Sequence, residues 1–266
     1  MNDDILIVSV QDGLAEVRLN RPARKNALNV EMFDALAAAG ERLKSEPGLR
    51  AVILSGAGGD FCAGLDLEVM QSLAGRMEEM RERLLNPPEG EVANWFQKPC
   101  YVWQELQVPV IAAVEGVCLG GGLQIALAAD FRICHPKARL SIMEAKWGLI
   151  PDMGITQSLP KLLAADHAKE LMMTARMLSG EEALGRGLVT RLADDPMASA
   201  REMAEALITR SPDAVNGIKA LVDQTWAMPP GRGLAIEAAI QAPIIGAPNQ
   251  IEAVMANLQK RAPKFQ

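Results

Sequence analysis

A chain of 266 residues that is 49% hydrophobic can bury a sizeable core, in one large domain or in one domain with an appendage. A formal net charge of −6, with both signs mixed along the chain, argues against a polyanion-binding surface, so nucleic acid is not an expected partner. The four cysteines, Cys62, Cys100, Cys118 and Cys134, show no C-x-x-C spacing, which points away from a zinc cage or a disulfide framework and towards reduced intracellular thiols.

The first ten residues, MNDDILIVSV, place acids where a secretory leader needs positive charge, and no apolar run approaches the length of a membrane span. The expectation is a cytoplasmic protein with no membrane partner. Two short β-rich runs flank Asp12-Gly13, a strong hairpin signal, and Pro22 ends the second. From Asn29, a fitting N-cap, the apolar positions Phe33, Leu36, Ala37, Gly40 and Leu43 recur at helical spacing until Pro47-Gly48. AVILSG at 51–56 is a strand feeding a glycine-rich loop, and PVIAAVEG at 109–116 repeats the arrangement ahead of Gly120-Gly121-Gly122. Strand, loop and helix in succession predict a mostly parallel sheet with crossover helices. Residues 65–106 have a helical pattern broken at 86–90 and read as a cover.

After Pro151 the pattern is helical. Ser179 with Glu182 forms a capping box, while Asp195-Pro196 and Ser211-Pro212 are cap-plus-proline helix starts. The expected organisation is a core over 1–195 and a helical region over 196–266.

The triple glycine places unhindered backbone N–H groups at a helix start, where the dipole favours an anion or oxyanion. The stretch SGAGGDFCAGLDL at 55–67 could bring a second N–H to the same atom, making an oxyanion hole. Neither loop matches a P-loop or a dinucleotide fingerprint. The only histidines, His135 and His167, give little material for a catalytic triad or a metal site, and no metal is expected.

The ordered set LNRPARKNALN, DFCAGLDL, AAVEGVCLGGGLQIALAADFRIC, MEAKWGLIPDMGITQSLP and NLQKRAPKF resembles the enoyl-CoA hydratase/isomerase family, the crotonase superfamily, over nearly the whole chain. The resemblance implies an α/β fold, the crotonase-like (ClpP/crotonase) spiral of β-β-α units with a helical C-terminal trimerisation region, assembled as a homo-trimer or hexamer. It implies an acyl-CoA thioester substrate, no separate cofactor since coenzyme A belongs to the substrate, and an enolate-like intermediate. The oxyanion-hole N–H groups fall on Ala63 and Gly121.

The family's hydratases use two glutamates; one matches Glu144 and the other position holds Gln124, which cannot exchange a proton as a carboxylate does. Asp152 matches an aspartate of related enoyl- and dienoyl-CoA isomerases, so the reading favours moving a double bond over adding water. The alternatives are an enoyl-CoA hydratase and a catalytically silent acyl-CoA-binding member. Without the resemblance, Glu144 reads more readily as a surface acid and Asp152 as a turn or cap residue.

By the same resemblance the coenzyme lies along Ala63, Asp66 and Leu67, with Gln124 also touching substrate. Arg24 and Lys25, and Lys260 and Arg261 across a subunit boundary, are the bases available to its phosphates, and Phe265 is placed over a neighbour's acyl pocket. Trp95, Trp103, Trp147, Met70, Met77, Met80, Met143 and Met153 either line an adaptable apolar pocket or belong to the core.

Overall fold

The structure, a computed structural model, describes residues 4–69, 75 and 77–266; Met70 lies outside them. Strands β1 (Leu6–Gln11) and β2 (Leu14–Leu19) form the expected hairpin, antiparallel from Leu6↔Leu19 to Gln11↔Leu14. Its two-residue loop is made by Asp12 at φ 50° and Gly13 at φ 79°, both left-handed as a type I′ turn requires. Helix α1 (Val30–Lys44) starts where Asn29 accepts from the Met32 N–H, and buries Phe33, Leu36, Gly40 and Leu43.

Strands β3 (Ala51–Gly56), β4 (Val110–Val114), β6 (Phe131–Cys134) and β9 (Arg191–Leu192) extend the hairpin in the order β1-β2-β3-β4-β6-β9, parallel from β2 onwards. The unbroken apolar run of β3 follows from burial on both faces. Val52 and Leu54 join the core beneath α1, while Ala51 and Ile53 face the other way. A smaller sheet orders β5 (Val117–Leu119), β7 (Arg139–Ser141) and β8 (Leu178–Ser179). Single bridges Cys62↔Cys118 and Leu28↔Leu65 continue its pairing. Each chain pass contributes to both sheets: β3 then the 62–65 segment, β4 then β5, β6 then β7. That repetition is the spiral of β-β units the resemblance implied.

In chain order follow α2 (Met77–Leu85), mostly exposed, α3 (Lys98–Gln104), packed on α1, α4 (Gly121–Ala128), wholly buried, and then α5 (Ile155–Ser158), α6 (Ala165–Thr174) and α7 (Gly180–Gly185). The predicted capping box is present on α7, with Ser179 and Glu182 bonded reciprocally. Helix α8 (Pro196–Ile208), capped by Asp195, lays fully buried Ala200 and Ala204 against Ile53, Ile111 and Ile133. It covers the second face of the large sheet, so packing does not change at residue 195; the helices that leave the sheet begin with α9 (Pro212–Thr225).

Helices α10 (Pro230–Gln241) and α11 (Pro248–Leu258) follow, and α9 and α10 have no buried residue. The Ser211 hydroxyl, expected to cap α9, is buried, makes no cap bond and has no hydrogen-bond partner among the described residues. Lys219 of α9 pairs with Asp130 on the core, beside an apolar cavity of about 440 Å³ lined by Leu127, Phe131, Val222 and Trp226.

Candidate functional site

The site lies where the 62–65 segment and the β5–α4 turn run side by side. Gly120, at φ 52° and ψ −124°, turns the chain in a conformation closed to side-chain-bearing residues and caps α4. Gly122 answers to packing: a Cβ there would sit 2.5 Å from the Cys62 carbonyl oxygen. Bare backbone thus lets the first turn of α4 press onto the neighbouring strand. The Gly121 N–H, at the helix start, has no intrahelical acceptor.

The second expected donor needs correction. The Ala63 N–H is already spent on the Lys25 carbonyl, at 2.9 Å, and is not available to a ligand in this geometry. Gly64, at φ 87°, breaks the strand alternation, and a Cβ on it would meet the Leu119 carbonyl at 2.7 Å. The pairing with Leu28 uses the Gly64 carbonyl and the Asp66 N–H, at 2.8 and 2.9 Å. The Leu65 N–H between them therefore faces away from that strand, and no acceptor for it is found among the described residues. Sequence reasoning missed Leu65; Gly64 was the signal, because a positive φ there reverses which N–H groups are used.

Two carboxyls stand over these loops. Glu144 opens a 3₁₀ turn (Glu144–Trp147) after β7, and its Oε1 lies 3.5 Å from where a Gly120 Cβ would be. Gln124 on α4 donates from Nε2 to that oxygen at 2.6 Å, while Gln124 Oε1 accepts from the Met153 N–H at 2.9 Å. Glu144 Oε2 is buried and has no hydrogen-bond partner among the described residues. Burial pushes the Glu144 carboxyl above its usual range and the negative charge of Asp152 adds to the rise, against opposing hydrogen bonds from its own backbone N–H, from Gln124 and from the Met143 backbone. Burial likewise raises Asp152. Both acids press on the buried Cys100 thiol, which burial itself holds well above its ordinary value. Cys100 carried no functional signal in the sequence. Asp152 is not a helix cap: α5 begins at Ile155 with Gly154 before it.

Other predicted residues are committed elsewhere. Asp66 is buried; burial pushes its carboxyl up, but the Glu68 N–H and the Arg21 guanidinium at 2.9 Å outweigh this and hold it low. Its backbone N–H goes to Leu28, so it braces the loop rather than offering a free donor. Leu67 is exposed. Arg24 pairs with Glu68 at 2.6 Å and Lys25 with Asp60 at 3.4 Å, both exposed bases on the same rim.

Arg261 is held by both oxygens of Glu252, and the Arg50 guanidinium stacks 5.8 Å over Phe265 of the same chain, so Phe265 has an intrachain partner. Trp103 is core, Trp95 stacks on Phe33, and Met80 and Met153 are buried, while Trp147 and Met77 are exposed. Lys137 donates its N–H to the His135 ring, and His167 is exposed.

This arrangement offers two outward N–H donors and two carboxyls whose pKa values burial moves towards neutrality, which suits proton transfer at a carbon next to a developing oxyanion.

A family model described as enoyl-CoA hydratase/isomerase matches residues 9–266. The peroxisomal Delta(3,5)-Delta(2,4)-dienoyl-CoA isomerase of Arabidopsis thaliana is 30% identical, over 98% of this chain and 96% of its own. The mitochondrial methylglutaconyl-CoA hydratase of Mus musculus is 32% identical, over 95% of this chain and 79% of its own. An enoyl-CoA hydratase structure from Bacillus anthracis superimposes with a TM-score of 0.89 at 31% identity, covering 98% of this chain and 99% of that one. Among the described residues no helix is long and apolar enough to cross a membrane. The chain belongs to the enoyl-CoA hydratase/isomerase family and is an enzyme of the crotonase superfamily, with that superfamily's fold.

Proposed function

We propose that this enzyme shifts a double bond of an enoyl- or dienoyl-CoA thioester. The observation that carries the reading is the pairing of Glu144 with an amide, Gln124, together with a second half-buried acid at Asp152. A water-adding site of the two-glutamate type needs a carboxylate where Gln124 stands; proton transfer between two carbons needs only Glu144 and Asp152.

In this reading the thioester oxygen accepts from the Leu65 and Gly121 N–H groups, an effect worth about 3 kcal/mol per donor in oxyanion holes. Asp152 removes a proton from the acyl chain, and the freed electron pair moves through the conjugated carbons onto the thioester oxygen. Glu144 returns a proton at the second carbon as the oxyanion collapses. The two carboxyls then re-equilibrate with solvent. The coenzyme runs along Leu65–Leu67, with Arg24 and Lys25 near its phosphates. The exposed Ile218, Trp226, Leu234 and Leu258 support a homo-trimer or hexamer.

The test is mass spectrometry of 2-enoyl-, 3-enoyl- and dienoyl-CoA thioesters incubated with the protein in deuterated water. A shifted double bond with deuterium at carbon and no added water mass is expected. Gain of one water would make the enzyme a hydratase, the reading that the methylglutaconyl-CoA hydratase relative supports. Binding with thermal stabilisation but no turnover would mark a silent acyl-CoA-binding member.

A further inference from the structure

Gln124 is buried, carries no titratable group, and bonds to both of the loops that carry the acids. Its amide cannot rotate freely in function. The Met153 N–H can only donate, so the group facing it must be the amide oxygen, and the amide nitrogen is thereby turned to Glu144. One side chain thus ties Glu144 to the backbone immediately after Asp152. It also decides which oxygen of Glu144 is used: Oε1 is held at 2.6 Å, and Oε2 is left buried with no hydrogen-bond partner among the described residues.

Resting on the double-bond-shift reading, we infer that Gln124 is a positioning residue: it holds Glu144 and the Asp152 loop in register and reserves Glu144 Oε2 as the atom that gives and takes the proton.

The charged or titratable groups felt by Glu144 are Asp152 and, facing both acids, Cys100. The backbone N–H groups of Glu144 and Met143 also favour its charged form, and Gln124 is the one side chain that adds to them, so its removal takes away a bond that neither Asp152 nor Cys100 supplies. A hydrogen bond to a carboxylate favours the charged form, so losing it moves the carboxyl's titration upward. Gln124→Met keeps the bulk and removes both bonds. Gln124→Glu can reproduce them only while it is protonated, with its carbonyl on the Met153 N–H and its hydroxyl donating to Glu144; once both acids ionise, like charges oppose each other.

The experiment has two readouts. The first needs no turnover: infrared titration of the carboxyl band of Glu144 in the substrate-free enzyme, assigned with Glu144→Gln. Gln124→Met should raise the Glu144 titration by about one unit or more. The second is steady-state kinetics across pH. Gln124→Met should lower kcat at least about 30-fold with KM within about threefold, and Gln124→Glu should recover activity at low pH and lose it as pH rises. An unmoved Glu144 titration in Gln124→Met would overturn the inference. So would a pH-independent loss shared equally by both variants, which is what mere packing damage would give. If the parent enzyme adds water or is silent, the double-bond reading fails, while the infrared titration still decides the positioning role.

Discussion

At the scale of single residues, the site depends on acids kept partly out of water. A carboxyl whose folded pKa is raised binds more protons in the native state than in the unfolded chain as pH climbs past the ordinary value, so stability declines through that window. For Asp152 the ordinary value is 3.8 and burial moves it up. Asp152→Asn removes the penalty. The variant should melt higher than the parent at about pH 8 and no higher at about pH 3, below both pKa values, while its turnover should fall at least about 100-fold. Thermal melts at the two pH values check the first part and the thioester assay the second. Equal melting temperatures at pH 8 would mean that Asp152 is not strained by burial.

At the scale of elements, the two loops are built by different constraints. Gly122 meets the Cys62 carbonyl and Sγ at 2.5 and 2.9 Å were it to carry a Cβ, so Gly122→Ala must push α4 off the 62–65 segment. Overpacking of this kind costs about 1–3 kcal/mol. Since the same shift separates the Gly121 and Leu65 N–H groups, kcat should fall along with stability. Asp195→Ala offers the contrast. It removes the side chain that accepts from the Ala198 N–H and should cost about 1 kcal/mol of stability, as cap losses do, with kcat/KM unchanged, because α8 lies on the far face of the large sheet. Denaturant unfolding and kinetics on both variants separate the two effects. A Gly122→Ala protein as active and stable as the parent would refute the close-packing account.

Much of this level was legible in the sequence. Asp12-Gly13, the Asn29 cap and the Ser179–Glu182 box are local, because each is decided by neighbours two or three residues away. The Ser211 cap was not, since its hydroxyl is buried without reaching the helix N–H groups. Ala63 misled for a related reason. A motif gives the position of the donor loop, but which N–H is free depends on the backbone laid beside it, the Lys25 and Leu28 carbonyls, and on the positive φ at Gly64.

At the scale of the whole molecule, the last helices present Ile218, Trp226, Leu234, Ile245, Ile251 and Leu258 to the surface, more apolar side chain than a lone subunit usually exposes. They stay attached to their own core through Lys219–Asp130 and Lys161–Asp223. Light scattering should therefore give a trimer or a multiple of it, and Trp226→Glu with Leu258→Glu should shift the mass to the monomer. A parent protein that is monomeric at micromolar concentration would end the oligomer proposal.

The sequence by itself determined the N-terminal hairpin, the helix after Asn29, the strands at 51–56 and 109–116, the two glycine-rich turns and the caps at Ser179 and Asp195, because periodicity and caps are properties of short stretches, and its motif order marked Glu144, Asp152 and the departure at Gln124 as candidates. Only the tertiary structure decided that the Ala63 N–H is spent on Lys25 while that of Leu65 has no acceptor among the described residues, that Gln124 bridges Glu144 to the Met153 N–H, and that α8 packs on the sheet. Those facts join residues tens of positions apart, and a hydrogen-bond donor has its partner chosen by whichever distant backbone the fold lays beside it.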